Sequence, residues 1–134
     1  MNEEQLINFL SQKHLISLAT INKEGYPDLT PLWFEWDGES YWVNTPAKNR
    51  KVRNIRANPK VGFTIASEDQ PYAAIVGYGD AELVDEGNFE RTRKLAEKYL
   101  PNGEAVDGFM KFIQTIGPRM SIKIKPKWQN SWQW

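Results

Sequence analysis

The chain has 134 residues, its 17 basic residues balance its 17 acidic ones, and it contains no cysteine. This length favours a single domain over residues 1–134, and a neutral chain has no overall field to attract nucleic acid or an anionic membrane. The absence of cysteine excludes disulfides, thiolate metal sites and thiol catalysis. Because the chain shows neither a signal-peptide pattern nor an apolar run that could span a membrane, we expect a soluble cytoplasmic protein.

The hydrophobic pattern predicts short strands joined by local turns, with helices inserted between them. Asn2 and Gln5 have the spacing of a capping box, and Asp37-Gly38 indicates a type I′ hairpin. The predicted elements are helix Glu3–Gln12, strands His14–Asn22, Asp28–Trp36 and Ser40–Val43, a basic helix from Pro46 to Asn58, strands Lys60–Ala66 and Tyr72–Val84, helices Asn88–Leu100 and Ala105–Ile116, strand Arg119–Lys125, and a tail over Pro126–Trp134. This order favours a small antiparallel barrel of the α+β class.

The segment from Ser40 to Ser67 contains no acidic residue, and Thr45-Pro46 within it is typical of a helix start. Its six basic residues are Lys48, Arg50, Lys51, Arg53, Arg56 and Lys60. A helix N-terminus carries a partial positive charge, so these cations are unfavourable there unless an anion lies nearby. The segment therefore predicts a phosphate clamp built from backbone N–H groups, the Thr45 hydroxyl, Arg50 and Lys51. The alternative is a short solvated basic helix that packs only its apolar side chains inward.

Other chemistry-bearing residues give weaker signals. His14 is the only histidine, so a zinc site or a catalytic triad lacks its parts, and we expect His14 to be structural. Gly77 and Gly79 lie inside a predicted strand and indicate a bulge rather than a dinucleotide-binding turn. The six tryptophans indicate core and interface packing, or a slot for a flat aromatic ligand. No catalytic side chain is predicted.

A series of motifs gives the most specific signal, because its order and spacing extend from Phe9 to Val84. The motifs are Leu18-Ala19-Thr20, Gly25-Tyr26-Pro27, Pro31-Leu32-Trp33-Phe34, Asp37-Gly38, Thr45, Lys51, Arg53-Asn54 and Asn58-Pro59-Lys60-Val61. This series resembles the pyridoxamine 5′-phosphate oxidase-like split β-barrels that bind flavin. The resemblance implies a six-stranded antiparallel split barrel with flanking helices, which forms homodimers that hold two FMN molecules in clefts between the subunits.

The resemblance also implies where the cofactor binds. The segment Thr45–Lys51 corresponds to the phosphate-binding segment of the family, strand Thr30–Trp33 to the strand along the isoalloxazine ring, and Trp132 to a residue that reaches the ring from the partner subunit. The implied cofactor-binding residues are Thr30, Pro31, Leu32, Trp33, Thr45, Asn49, Arg50, Lys51 and Trp132.

The resemblance points to an FMN-dependent oxidoreductase that transfers a hydride through flavin N5 to or from a small-molecule substrate. The vitamin B6 oxidase has arginine and lysine where this chain has Thr30 and Glu35, so pyridoxine phosphate oxidase activity is not expected. One alternative is a reductase that uses coenzyme F420, whose longer anionic tail Arg53, Arg56 and Lys60 would bind. The other is a non-catalytic flavin or haem carrier, or an RNA-binding module, although the neutral charge disfavours nucleic acid.

Overall fold

The computed structural model describes all 134 residues, which form a mainly β structure with four helices. The helices are α1 (Glu3–Leu10), α2 (Arg50–Ala57), α3 (Asn88–Tyr99) and α4 (Gly103–Gln114), and the strands are β1 (Ile16–Ile21), β2 (Pro27–Leu32), β3 (Glu35–Trp36), β4 (Tyr41–Pro46), β5 (Lys60–Ala66), β6 (Ala73–Val84) and β7 (Arg119–Gln133). The strands form one curled antiparallel sheet in the order β2-β1-β5-β6-β7-β4-β3. None of the helices is long and apolar enough to cross a membrane.

The core lies on the inner face of the curled sheet. Every second residue of β1 is buried, and these residues face buried residues of β5 directly across the ladder, as Ile16 faces Ile65 and Leu18 faces Phe63. Because side chains alternate between the two faces of a strand, this register directs one apolar set inward. Tyr41 of β4 is fully buried in the same cluster.

The sheet has seven strands rather than the six expected, because the predicted strand Asp28–Trp36 is two strands. β2 pairs with β1, whereas β3 pairs with β4 on the opposite edge of the sheet. At the break, the Phe34 N–H donates to the Tyr99 hydroxyl at 3.2 Å and the Phe34 carbonyl accepts from Lys98 Nζ at 2.9 Å. Side chains of α3 thus hydrogen-bond the buried N–H and carbonyl of Phe34, which have no partner in a neighbouring strand.

The basic helix begins later than its sequence pattern predicts. Thr45 and Pro46 belong to β4, where they face Met120 and Arg119 of β7, so the prediction of a helix start at Thr45-Pro46 is wrong. The N-cap is Asn49, whose side chain accepts a hydrogen bond from the Lys51 backbone N–H at 3.4 Å. Pairing with β7 extends β4, because a buried strand gains more hydrogen bonds than an isolated helix start.

The hairpin between β3 and β4 forms, but its turn differs from the prediction. The Asp37 N–H donates to the Ser40 carbonyl at 3.1 Å, which makes Gly38 and Glu39 the central residues. Only Gly38 has a positive φ, of 103°, whereas a type I′ turn needs positive φ at both central residues. The carboxylate of Asp37 accepts from the Glu39 and Ser40 N–H groups and thereby fixes the shifted turn.

The C-terminal segment is a strand rather than a tail. β7 continues to Gln133 and pairs with β6 along its length, with a register shift between Tyr78 and Gly79 that confirms the predicted bulge. A Cβ on Gly79 would collide with the carbonyl of Lys125, so only glycine fits this close approach. Pro126 lies opposite the bulge, where its missing N–H is tolerated.

Helix α3 packs against β4 and β7, and α4 packs against α3. Lys98 of α3 links this helix to α1 and to the chain between β2 and β3. Its Nζ donates to the carbonyl of Leu10, the last residue of α1, at 3.1 Å and lies 4.1 Å from the centre of the Phe34 ring. Burial lowers the pKa of the Lys98 amine to about 8, although the Glu35 carboxylate acts in the opposite direction.

The lowered pKa of Lys98 predicts that the stability of the fold depends on pH. The unfolded chain binds more protons than the folded chain between about pH 8 and about pH 10.5, so the free energy of unfolding should rise with pH across this interval. We expect the free energy of unfolding to rise by about 1 to 2 kcal/mol more in wild type than in Lys98→Met. This is less than the lowered pKa alone would give, because solvent screens the partly exposed amine. Denaturant unfolding at several pH values measures it, with the exposed Lys111→Met as control. Equal pH slopes in wild type and Lys98→Met would contradict the prediction.

Candidate functional site

The ammonium group of Lys51 lies at the start of α2 and is buried, with 7% of the residue exposed. Its Nζ donates to the Asn49 side-chain oxygen at 3.0 Å and approaches the Thr45 hydroxyl at 3.5 Å. No carboxylate forms an ion pair with it. The structure therefore brings together three of the residues predicted for the phosphate clamp around a buried positive charge that the chain itself does not neutralise.

Arg119 adds a second positive charge at this position, which the sequence analysis missed. It begins β7 and faces Pro46 across the ladder, and its Nε donates to the Asn44 side-chain oxygen at 2.8 Å. Its two Nη groups donate to no protein acceptor, and no carboxylate pairs with them. Burial, and then the Arg119 guanidinium, lower the pKa of Lys51, and burial also lowers the pKa of Arg119. Two cations without a counterion form a site for an anion.

A buried polar network fixes Arg119 in place. The amide of Asn44 donates to Asn88 at 3.2 Å and to Ser121 at 3.1 Å, and Asn88 in turn donates to the Arg119 carbonyl at 3.2 Å. These contacts attach the first residue of α3 to β4 and β7. Because the acceptor Asn44 is itself held by two partners, the guanidinium has a defined orientation.

Arg50 differs from Lys51 because the chain does neutralise it. Its guanidinium is largely exposed, and its Nε lies 2.7 Å from the carboxylate of Asp28 at the start of β2. Asn54 donates to the same oxygen at 2.8 Å. Hydrogen bonds from Asn54, and then from Arg50, lower the pKa of Asp28. The pair connects α2 to β2, and Arg50 keeps further N–H donors for a bound anion.

The remaining basic residues of this segment match the alternative interpretation of a solvated helix. Lys48, Arg53, Arg56 and Lys60 are exposed, whereas Val52 and Ile55 are buried on the inner side of α2. The helix is thus solvated along its outer surface and carries its buried charge only at its start. Each interpretation describes one part of the same helix.

The strand predicted to lie along the flavin ring forms an edge of the sheet. β2 pairs only with β1, so half of its backbone groups have no strand partner. Pro31, Leu32 and Trp33 line a cavity of about 300 Å³, and Arg119 lines the same cavity. Thr30 does not line it, and its side chain shares the inner face of the sheet with the opposing Leu18. The cavity thereby connects the predicted ring-binding segment to the anion site.

Trp132 does not line the cavity that contains Pro31, Leu32, Trp33 and Arg119. It lies on β7 opposite Ala74, 13 residues from Arg119 along a continuous strand. Its neighbour Gln133 lines a second cavity together with Pro31 of β2. A role for Trp132 at the ring of the partner subunit stays a prediction.

The sequence model of the pyridoxamine 5′-phosphate oxidase family matches residues 3–133. The chain belongs to the pyridoxamine 5′-phosphate oxidase family. The match confirms the resemblance that the motif series predicts, and it extends that resemblance over the C-terminal helices and β7. No curated protein matches the sequence significantly.

Solved structures share the fold along nearly the whole chain. A conserved hypothetical protein from Mycobacterium tuberculosis is 28% identical, with a TM-score of 0.80 over 99% of this chain and 85% of that one. An F420 reductase is 25% identical, with a TM-score of 0.69 over 92% of this chain and 94% of that one. The haem storage protein HutZ from Vibrio cholerae, at 20% identity, has a TM-score of 0.72 over 98% of this chain and 93% of that one. The family fold therefore serves proteins with different cofactors and roles.

Proposed function

We propose that this protein is an FMN-binding oxidoreductase that transfers a hydride to or from a small-molecule substrate. The observation that carries the proposal is the buried cation of Lys51, which has no carboxylate partner and lies beside Thr45 and Asn49 at the start of α2. Burying an unpaired charge is costly, so a protein keeps such a charge where a bound anion compensates for it. The membership of the chain in a flavin-binding family agrees with a phosphate as that anion.

The donors at the start of α2 fit a phosphate monoester. Lys51 has an N–H that the two protein acceptors leave free. At the first position of α2 the Arg50 backbone N–H precedes the helical ladder, whereas Asn49 accepts from the N–H groups of Lys51 and Val52. The Thr45 hydroxyl and the exposed Arg50 guanidinium add donors from β4 and from the helix. This set matches the donors that phosphate groups meet at helix N-termini.

The edge of β2 fits the ring of the same cofactor. Backbone groups of Thr30–Trp33 that face away from β1 are free to hydrogen-bond the polar edge of the isoalloxazine ring. FMN supplies the hydride-carrying N5 atom when it is bound. The chain contributes position, hydrogen bonds and exclusion of water, and we assign no side chain as a general acid.

Reversing the charge of Lys51 tests the clamp. We expect Lys51→Glu to lose FMN, because a carboxylate would replace the buried ammonium and repel the phosphate. The readouts are the visible absorption spectrum of the protein as isolated and an FMN titration, in which affinity should fall at least about a hundredfold, as for other lost buried charge pairs. Lys111→Glu, an exposed change on α4, should retain FMN. A folded Lys51→Glu protein that stays loaded, or a wild-type protein that shows haem absorption instead, would contradict the proposal.

A second candidate function is a reductase that uses F420. Two observations favour it, namely the 25% identity to an F420 reductase and the exposed cations Arg53 and Arg56 beyond the clamp. We expect the double variant Arg53→Glu/Arg56→Glu to bind F420 at least about tenfold more weakly and to leave FMN affinity unchanged, since only F420 extends along the helix. Parallel titrations with both cofactors measure this. Wild-type protein that binds FMN but not F420 would exclude the second candidate.

The proposed cofactor site depends on a homodimer, which a broad apolar surface supports. One row of directly opposed residues crosses five strands on the outer face of the sheet, and we call it the outer row: Leu29, Ala19, Gly62, Tyr78 and Trp128. Leu29, Tyr78 and Trp128 are 66%, 54% and 48% exposed, and the last two rings stack at 5.5 Å. Such a contiguous apolar surface is a typical protein interface.

Introducing a charge into the outer row tests the dimer. We expect Tyr78→Arg to convert a dimer into a folded monomer, because an arginine at the centre of a packed apolar interface would be buried without a partner. Light scattering after size-exclusion chromatography gives the mass. The matched control is Phe112→Arg, since Phe112 is 61% exposed on α4 and lies outside the row. A monomeric wild-type protein, or an equally dimeric Tyr78→Arg variant, would contradict this arrangement.

A further inference from the structure

The cavity between β2 and the helix pair α3–α4 has two chemically different ends. Trp33, Leu95 and Phe109 give it apolar walls, and the Trp33 ring lies 5.1 Å from that of Phe109. Asn44 and Arg119 form its polar end. Arg119 is the only charged residue among those that line the cavity, whose volume of about 300 Å³ is at the lower end for small-molecule sites.

The guanidinium of Arg119 has more donors than the chain uses. An arginine side chain offers five N–H donors in a planar fork, and here only Nε has a protein acceptor, on Asn44. The network that holds Asn44 therefore orients the two Nη groups while leaving them available. A planar fork suits the two oxygens of a carboxylate or of a phosphate better than a single ammonium does.

We propose that this cavity binds the substrate, and that the substrate is a small aromatic or otherwise flat apolar molecule with an anionic group that Arg119 receives. The inference rests on the proposed function, because Pro31–Trp33 form a wall of the cavity and also the strand assigned to the flavin ring. Lys51 does not line the cavity. We therefore assign the cofactor phosphate to Lys51 and the anionic group of the substrate to Arg119. The apolar walls would exclude water from the anion and strengthen its contact with Arg119.

Binding of benzoate and of its neutral counterpart benzamide to the full-length protein tests the inference. Nuclear magnetic resonance follows the Trp33 indole N–H and the Thr92 amide, since both residues line the cavity. We expect benzoate to shift these resonances and to bind at least about tenfold more tightly than benzamide, as a charge-assisted hydrogen bond implies. Arg119→Gln should remove this preference, and Arg119→Lys should retain part of it.

The control is Arg93→Gln, which removes an arginine that pairs with Asp107 across the same two helices outside the cavity. This variant should keep the preference for benzoate. Equal binding of benzoate and benzamide by wild-type protein would overturn the inference. So would a preference that survives Arg119→Gln, or benzoate shifts confined to residues around Lys51.

Two further measurements separate this inference from the proposed function. Lys51→Met should lose FMN and keep the preference for benzoate, because Lys51 lies outside the cavity. If instead Arg119→Gln loses FMN while its preference for benzoate persists, Arg119 belongs to the cofactor clamp and the substrate assignment is wrong. If wild-type protein prefers benzoate but binds no FMN, the oxidoreductase proposal fails and the anion-binding cavity stands.

Discussion

The positive charges of the buried Lys51 and the half-buried Arg119 are the constraint on which the rest of the site depends. Neither has a carboxylate partner, although the chain contains as many acidic as basic residues. The nearby Asp28 pairs with the exposed Arg50 instead. The carboxylate at the start of β2 thus compensates the exposed Arg50 and leaves the buried Lys51 without a counterion. This distribution distinguishes an anion-binding site from a helix that is merely basic.

The break between β2 and β3 creates the space next to these charges. The buried backbone of Phe34 is bound by the Tyr99 and Lys98 side chains rather than by another strand, so β2 can end at one edge of the sheet and β3 can join the other. Trp33, just before the break, stacks on Tyr99 with ring centres 5.2 Å apart. Tyr99 thus both binds the backbone where the strand ends and positions the aromatic wall of the cavity.

Sequence patterns predicted local features well and long-range pairing poorly. The capping box of Asn2 and Gln5, strand Lys60–Ala66 and the bulge at Gly79 depend on residues close in sequence or on a backbone requirement of one glycine, and all three are confirmed. The break in Asp28–Trp36 and the extension of β4 through Thr45 depend instead on which distant strand or helix lies alongside. For the same reason Lys51, Thr45 and Asn49 could be grouped in advance, whereas Arg119 could not. Its contact with Asn44 spans 75 residues and exists only because β4 pairs with β7.

The anion site and the apolar outer face meet at the start of β2, which gives a physical reason for coupling cofactor binding to dimerisation. Asp28 directs its carboxylate to Arg50 and Asn54, while the next residue, Leu29, projects from the opposite face of the strand into the outer row. Successive side chains of a strand point to opposite faces, so one short edge strand joins both surfaces. In the proposed homodimer, a ligand held along β2 would therefore lie at the rim of the interface. A second subunit would cover Leu29 and limit the access of water to the ligand. Trp132, which does not line the Arg119 cavity of its own chain, could then contribute to the site of its partner.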